Sequence, residues 1–294
     1  AGLTKYYPEG GDWPFITVKT GDEISLGKRT LRFIEAPMLH WPDSMFTYLV
    51  EGHILMPNDA FGQHIATSKR FDDEVPKEDI MGEAAKYYAN ILMPFAPLIL
   101  RKIAEVQGMG IPLDMIAPSH GIIWRSEPKK IIDAYVKWSQ GHAEEKVLVI
   151  YDTMWESTEV MAKAIVQGIM REGVETRLFH LRKSDWTEIL KEILEAKAIL
   201  IGSPTLNNGM FPSVGGFLTY LKGLRPQKKV AAAFGSYGWG KGAVKAINEE
   251  LKRTGLDVLD PGLEVRYLPT EDEVKNCVEF GASVARRVKE IRLQ

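Results

Sequence analysis

Cysteine is almost missing: Cys277 is the only one in 294 residues. A lone thiol excludes a disulfide within the chain and any Cys-based zinc or iron–sulfur site. Cys277 lies in a helical pattern and reads as a small core residue, so a reducing cytoplasm is the expected compartment. An excess of basic charge is missing too. The 37 Lys and Arg are balanced by 39 Asp and Glu, for a formal net charge of −2. No field therefore draws the chain to nucleic acid or an anionic membrane surface. No apolar run reaches bilayer-spanning length, no signal peptide is visible, and no Gly-x-Gly-x-x-Gly fingerprint for a dinucleotide occurs.

What is present suits two domains of ordinary size. Hydrophobic residues make up 45% and charged residues 26%, enough of each for a full core and a solvated surface. Seven Trp is a high count; such side chains suit a planar cofactor or serve as core and interface anchors. There is no initiator Met. Ala1 to Tyr7 reads as the last turns of a helix stopped by Gly10 and Gly11. The expectation is a fragment, or one part of a split protein.

The two halves have different rhythms. In the first, Phe15–Lys19, Leu31–Ile34 and Thr47–Val50 alternate as strands, with turns at Gly21-Asp22 and Gly27-Lys28. A helical pattern over Ile80–Ile103 is broken by Pro94 and Pro97. A short strand at Asp114–Ala117 and an amphipathic helix at Lys129–Gln140 follow. Gly141 to Glu145 is a polar link, which sets the expected domains at 1–143 and 144–294. Beyond it strands and helices alternate strictly. Apolar strands at Val147–Tyr151, Thr176–Leu181, Ala198–Gly202, Val230–Phe234 and Leu263–Leu268 are separated by helices, and the last helix runs over Glu271–Ile291. Five near-continuous apolar strands with helical crossovers predict a doubly wound α/β domain with a parallel sheet covered on both faces.

In such a sheet, ligands lie beyond the carboxyl ends of the strands. The first loop reads Asp152-Thr153-Met154-Trp155-Glu156-Ser157-Thr158. Its hydroxyls, amides and helix N-terminus make either an anion site or an ordinary helix cap. The third loop carries Ser203-Pro204-Thr205-Leu206-Asn207-Asn208-Gly209, and the fourth Ser236-Tyr237-Gly238-Trp239-Gly240. Glycine lets a flat ring approach closely, Asn amides match a pyrimidine edge, and Tyr237 and Trp239 can stack on or screen a ring. Three such loops at one sheet end predict FMN. In the first half, His and carboxylate side chains recur on spaced loops: His40 to Asp43, Asp59 to His64, and Ser119-His120. Each His is either a plain loop residue or a ligand of non-haem iron or zinc.

These residues resemble the flavodiiron proteins. The phosphate loop Tyr151-Asp152-Thr153-Met154-Trp155-Glu156-Ser157-Thr158, the third loop Gly202 to Asn208 and the fourth loop Phe234 to Trp239 match that family's flavodoxin module. His40-Trp41-Pro42-Asp43-Ser44-Met45, Asn58-Asp59-Ala60-Phe61-Gly62-Gln63-His64 and Pro118-Ser119-His120-Gly121 match the later part of its metallo-β-lactamase-like domain. The resemblance implies an incomplete αββα sandwich followed by a flavodoxin-like, doubly wound five-stranded parallel sheet. It implies two irons with His40 and His120 as ligands, one on each, and Asp59 bridging; His64 and Asp43 would support the site. It also implies electron transfer from rubredoxin or a reduced deazaflavin through FMN to the di-iron centre, which reduces O2 to water or NO to N2O. Head-to-tail homodimers would place the flavin of one protomer against the iron of the other. The family's His-x-Glu-x-Asp-His cluster occurs nowhere here, so a second polypeptide is expected to bring the remaining ligands. Two rivals stand beside this reading. One is a metal-free flavodoxin-type carrier or reductase subunit whose first domain docks a partner; the other is a scaffold holding FMN only structurally.

Overall fold

Why each half folds as it does follows from its burial pattern. The computed structural model describes residues 2–291. Ala1 and Arg292 to Gln294, which the expected elements and domains also take in, lie outside the described residues. The chain divides into two compact units: residues up to Tyr87 with Phe95–Ser139, and Tyr88–Pro94 with everything from Gln140 on.

The first unit opens with α1 (Gly2–Tyr6) and a 3-10 turn, Pro8–Asp12. Its sheet runs in sequence order: β1 (Glu23–Ser25), β2 (Thr30–Glu35), β3 (Met45–Leu49), β4 (Ile54–Met56) and β5 (Met115–Ile116). The pairs are antiparallel up to β3–β4, whereas β4–β5 is parallel. Phe33, Phe46, Tyr48, Leu55 and Ile116 are buried along it, and the Tyr48 hydroxyl donates to the Pro112 carbonyl at 2.6 Å. Three helices accompany the sheet: α2 (Lys77–Tyr87), α3 (Ala96–Gly108) and α4 (Pro128–Ser139). The expected strand over Phe15–Lys19 does not form. That stretch pairs with no strand, and Phe15 and Ile16 stay exposed; alternation makes a strand only where a ladder partner exists. As the two prolines foretold, the helical stretch between α2 and α3 is interrupted, by a π-turn at Tyr88–Leu92 and a 3-10 turn at Met93–Phe95.

The second unit alternates throughout: β6 (Glu144–Tyr151), α5 (Ser157–Arg171), β7 (Glu175–His180), α6 (Trp186–Glu195), β8 (Ala196–Gly202), α7 (Pro212–Leu224), β9 (Val230–Tyr237), α8 (Ala243–Arg253), β10 (Asp257–Val258), β11 (Leu263–Arg266) and α9 (Glu271–Glu290). All its strand pairs are parallel, in the order β10-β9-β8-β6-β7, and β11 also pairs with β9. The five predicted strands are all there. The additional β10 shares one flank of β9 with β11, so the last rank is a strand in two pieces. β8 is buried at every residue and β6 from Lys146 onward, as sheets covered on both faces require. Below the sheet, α5 crosses α9 at closest approach through Gly168 and Gly281. A Cβ on Gly168 would lie 1.8 Å from the Val278 carbonyl oxygen, and one on Gly281 2.1 Å from that of Ile165. Among the described residues no helix is long and apolar enough to cross a membrane.

Candidate functional site

In the first unit, three loops converge on Asp59. Asn58 and Phe61 adopt left-handed backbone (φ 57° and 67°), and the Gly62 amide donates to the Asp59 carbonyl at 3.0 Å, so the chain turns sharply about Asp59. The Ser119 amide donates to the Asn58 carbonyl at 2.8 Å and ties on the loop that carries His120. Gly62 lies so close to that imidazole that a Cβ would come within 2.6 Å of its Cε1. Any larger residue would push His120 away.

Each oxygen of Asp59 faces a different imidazole. Oδ2 is 3.3 Å from His40 Nε2, and Oδ1 is 3.9 Å from His120 Nε2. Ser119 Oγ also donates to Oδ1, at 2.8 Å. His120 Nδ1 lies 3.1 Å from the Gln63 carbonyl, which can only accept; a proton therefore sits on Nδ1, and Nε2 is the nitrogen turned to Asp59. Gln63 is itself buried, donating to Phe61 O and accepting the Ile122 amide at 2.7 Å. Two imidazole nitrogens about one carboxylate are the donor types of non-haem iron. The trio does not complete a coordination sphere: among the described residues, no three His, Cys, Asp or Glu side chains close on one ion. Asp59 lies between the two imidazoles, one facing each of its oxygens.

His64 is exposed, with its ring 5.2 Å from that of His120, while Asp43 is exposed on the His40 loop. Sequence reasoning missed Tyr87, whose ring sits 5.0 Å from both His64 and His120. Burial, reinforced by the Asp59 charge, raises its phenol well above the ordinary tyrosine value. It stays protonated, a neutral donor beside the imidazoles. Its place in a long apolar helix pattern hid it. His53 is engaged elsewhere, with Asp114 at 2.8 Å.

In the second unit, the first, third and fourth loops are stitched together. Thr158 and Ser236, both buried, share a hydroxyl–hydroxyl bond of 2.9 Å. The Thr205 amide donates to the Ser236 carbonyl at 2.8 Å, and the Ala243 amide to Thr205 Oγ1 at 3.3 Å. Ser203 Oγ donates to the Pro204 carbonyl and accepts the Phe211 amide, both at 2.8 Å. That hydroxyl is used to shape the loop. Asn207 and Asn208 take left-handed backbone (φ 49° and 60°) and are exposed with Met154, Trp155 and Glu156; Gly209, Tyr237, Gly238 and Gly240 are half-buried. Trp239 is fully exposed and Trp155 nearly so.

Two observations mark an anion position here. Glu156, which precedes α5, is left-handed and its side chain does not cap the first turn of this 15-residue helix. Beside it Thr153 Oγ1 is buried and, among the described residues, has no hydrogen-bond partner. A phosphate monoester would satisfy both, and the residues present fit FMN. Asp152, Arg182 and Ser213 lie directly behind this loop; Arg182 and Ser213 escaped notice because they are remote in sequence.

Comparison with known proteins agrees with both halves. Residues 149–281 match the flavodoxin family, and residues 3–121 the ODP family beta lactamase. The nitric oxide reductase of Moorella thermoacetica is 53% identical over 94% of this chain and 70% of its own length. The coenzyme F420H(2) oxidase of Methanothermobacter marburgensis is 47% identical over 98% of this chain and 72% of its own. Among solved structures, rubredoxin oxygen:oxidoreductase from Desulfovibrio gigas matches with a TM-score of 0.94, at 38% identity, over 98% of this chain and 72% of that one. The flavodiiron protein from Giardia intestinalis matches at 0.93 and 37%, over 98% and 71%.

Proposed function

The chain belongs to the flavodiiron protein family, and from that premise we propose an oxidoreductase that carries electrons from a donor, rubredoxin or a reduced deazaflavin, to O2 or NO. Residues 144–294 would hold FMN, and residues 1–143 would form the later part of a lactamase-like di-iron domain. When bound, the flavin would supply one-electron steps and the irons an open position for the diatomic substrate. The observation that carries the reading is Asp59, with each oxygen turned to its own imidazole.

The chain's own groups have definite tasks in this scheme. His40 and His120 would each offer Nε2 to one iron, and Asp59 would bridge; Gln63 fixes the His120 tautomer, and Ser119 orients the carboxylate. The Tyr87 ring packs against the imidazoles of His64 and His120. On the second unit, Thr153 and the first turn of α5 would receive the phosphate. The glycines and asparagines of the third and fourth loops would flank the ring, with Trp155 and Trp239 as covers. The remaining iron ligands would come from outside this trio. A head-to-tail homodimer in a cytoplasmic setting completes the proposal, with the flavin of one protomer serving the iron of the other.

The deciding experiment identifies the extracted cofactor by mass, counts iron, and follows O2 and NO consumption with reduced rubredoxin or reduced deazaflavin. FMN, iron and turnover of either gas are expected. A preparation that carries FMN but no iron, even after iron loading with every polypeptide of the assembly present, would reduce the protein to an electron carrier. Mixing a protomer disabled for flavin with one disabled for iron should restore turnover; proven heterodimers without activity would rule out transfer between protomers.

A further inference from the structure

Three separate segments meet at the Asp152 carboxylate. The group is fully buried. Its Oδ1 accepts the Thr153 amide at 2.7 Å and Arg182 Nε at 2.8 Å, and its Oδ2 accepts the Ser213 hydroxyl from the first turn of α7. His180 Nε2 lies 3.9 Å from the same Oδ1. Arg182 makes a second contact, donating from Nη2 to the Thr153 carbonyl at 2.5 Å. The Thr153 main chain is thus gripped at both ends, its N–H by Asp152 and its C=O by Arg182. Its hydroxyl alone is left buried without a partner among the described residues, next to the start of α5.

A buried carboxylate one residue away from an anion position is an electrostatic liability. In a low-dielectric surrounding it repels a phosphate unless a cation offsets it. Arg182 is that cation; the guanidinium pairs with Asp152 and also donates to the Thr153 carbonyl. We infer that Arg182 is a positioning and specificity residue: through Asp152 and Thr153 it makes the first loop select a phosphorylated flavin over the same ring system without phosphate. The inference rests on the FMN reading above.

The test titrates the flavin-free 294-residue chain with FMN and with riboflavin, by quenching of flavin fluorescence, in the wild type, Arg182→Gln, Asp152→Asn and the double variant. Circular dichroism checks the fold of each. Arg182→Gln should weaken FMN about tenfold, less than for a fully enclosed pair because the guanidinium is half exposed, and riboflavin less than about threefold. Asp152→Asn, which removes the repelling charge and keeps the cation, should hold or raise the preference for FMN. The double variant should return most of the preference lost in Arg182→Gln. A parallel loss of both flavins in Arg182→Gln, or a loss of preference that Asp152→Asn does not relieve, would make Arg182 a mere strut and overturn the inference. A wild type that binds riboflavin as tightly as FMN sinks the FMN reading itself, before any substitution is made, and the inference with it.

Discussion

Gly168→Ala puts the seating of α5 to the test. The added methyl would start 1.8 Å from the Val278 carbonyl oxygen, where ordinary contact begins near 3.4 Å. That oxygen belongs to the backbone of α9 and cannot rotate aside, so the two helices must part by more than an ångström. Overpacking of this kind costs about 1–3 kcal/mol, occasionally more. The immobile obstacle puts the cost at the upper end. Alanine in place of glycine returns about 1 kcal/mol of helix propensity, which leaves a net loss of about 2 kcal/mol. Thermal unfolding of the second unit should then fall by about 4–8 °C. Because the two units need not melt together, amide hydrogen exchange of peptides from α5 and α9, read by mass spectrometry, should accompany the melt. Both should exchange faster, and the loss should reach Thr158 and Ser236 through the N-terminus of α5. Gly223→Ala is the control: Gly223 is an exposed residue of α7 with nothing within 4 Å of its Cβ position. It should be neutral or gain up to about 1 kcal/mol by the same propensity term, less than the full value because Gly223 is next to the last residue of α7. If Gly168→Ala were as stable as Gly223→Ala, the close crossing would be wrong.

Two further outcomes follow from other sites. Burial pushes the Lys229 amine down to about 7 from the ordinary 10.5, against the pull of Glu195; its Nζ donates to the Leu194 carbonyl at 2.9 Å. Between those two values the unfolded chain binds a proton that the folded chain does not. The wild type should therefore gain stability as pH rises from about 7 to 10.5, by about 1.4 kcal/mol per pH unit, and Lys229→Met should lack that slope. Urea titrations across this window decide it, and a constant difference between the two proteins would refute the burial of the amine. In the loaded assembly, Asp59→Ala should lower bound iron, measured by elemental mass spectrometry, and leave flavin content intact. His53→Ala, which removes only the partner of Asp114, should keep its iron. Full iron occupancy in Asp59→Ala would falsify the bridging role.

Much of the second unit was legible because buried parallel strands are continuous apolar runs: Val147–Tyr151 and Ala198–Gly202 need no partner to be recognised. The first unit was harder to read. β1 and β4 have only three residues each, too few to establish a period, and Phe15–Lys19 alternates without finding a ladder. The site divides in the same manner. Residues that lie together in one loop, such as Thr153 to Thr158 or Asp59 with its neighbours, stood out as motifs. Contacts made across the fold did not. Arg182 and Ser213 reach Asp152 from 30 and 61 residues away, Tyr87 looks like helix core until its ring is found against His120, and Gly168 looks like a weak helix residue until α9 lies on it. Chemistry that depends on a turn is written locally, whereas chemistry that depends on a crossing is written in two places that only folding joins.

The divided last rank of the parallel sheet has a consequence for how this unit meets other molecules. A continuous outer strand would present a row of free amides and carbonyls on which an extended peptide could build. Here that flank ends in a two-residue piece and a four-residue piece, and residues 260–262 break the ladder between them. An incoming chain would find only the few outward groups of a four-residue piece before the template stops. On this side a long added strand finds no continuous template, which disfavours strand addition as a route to polymerisation.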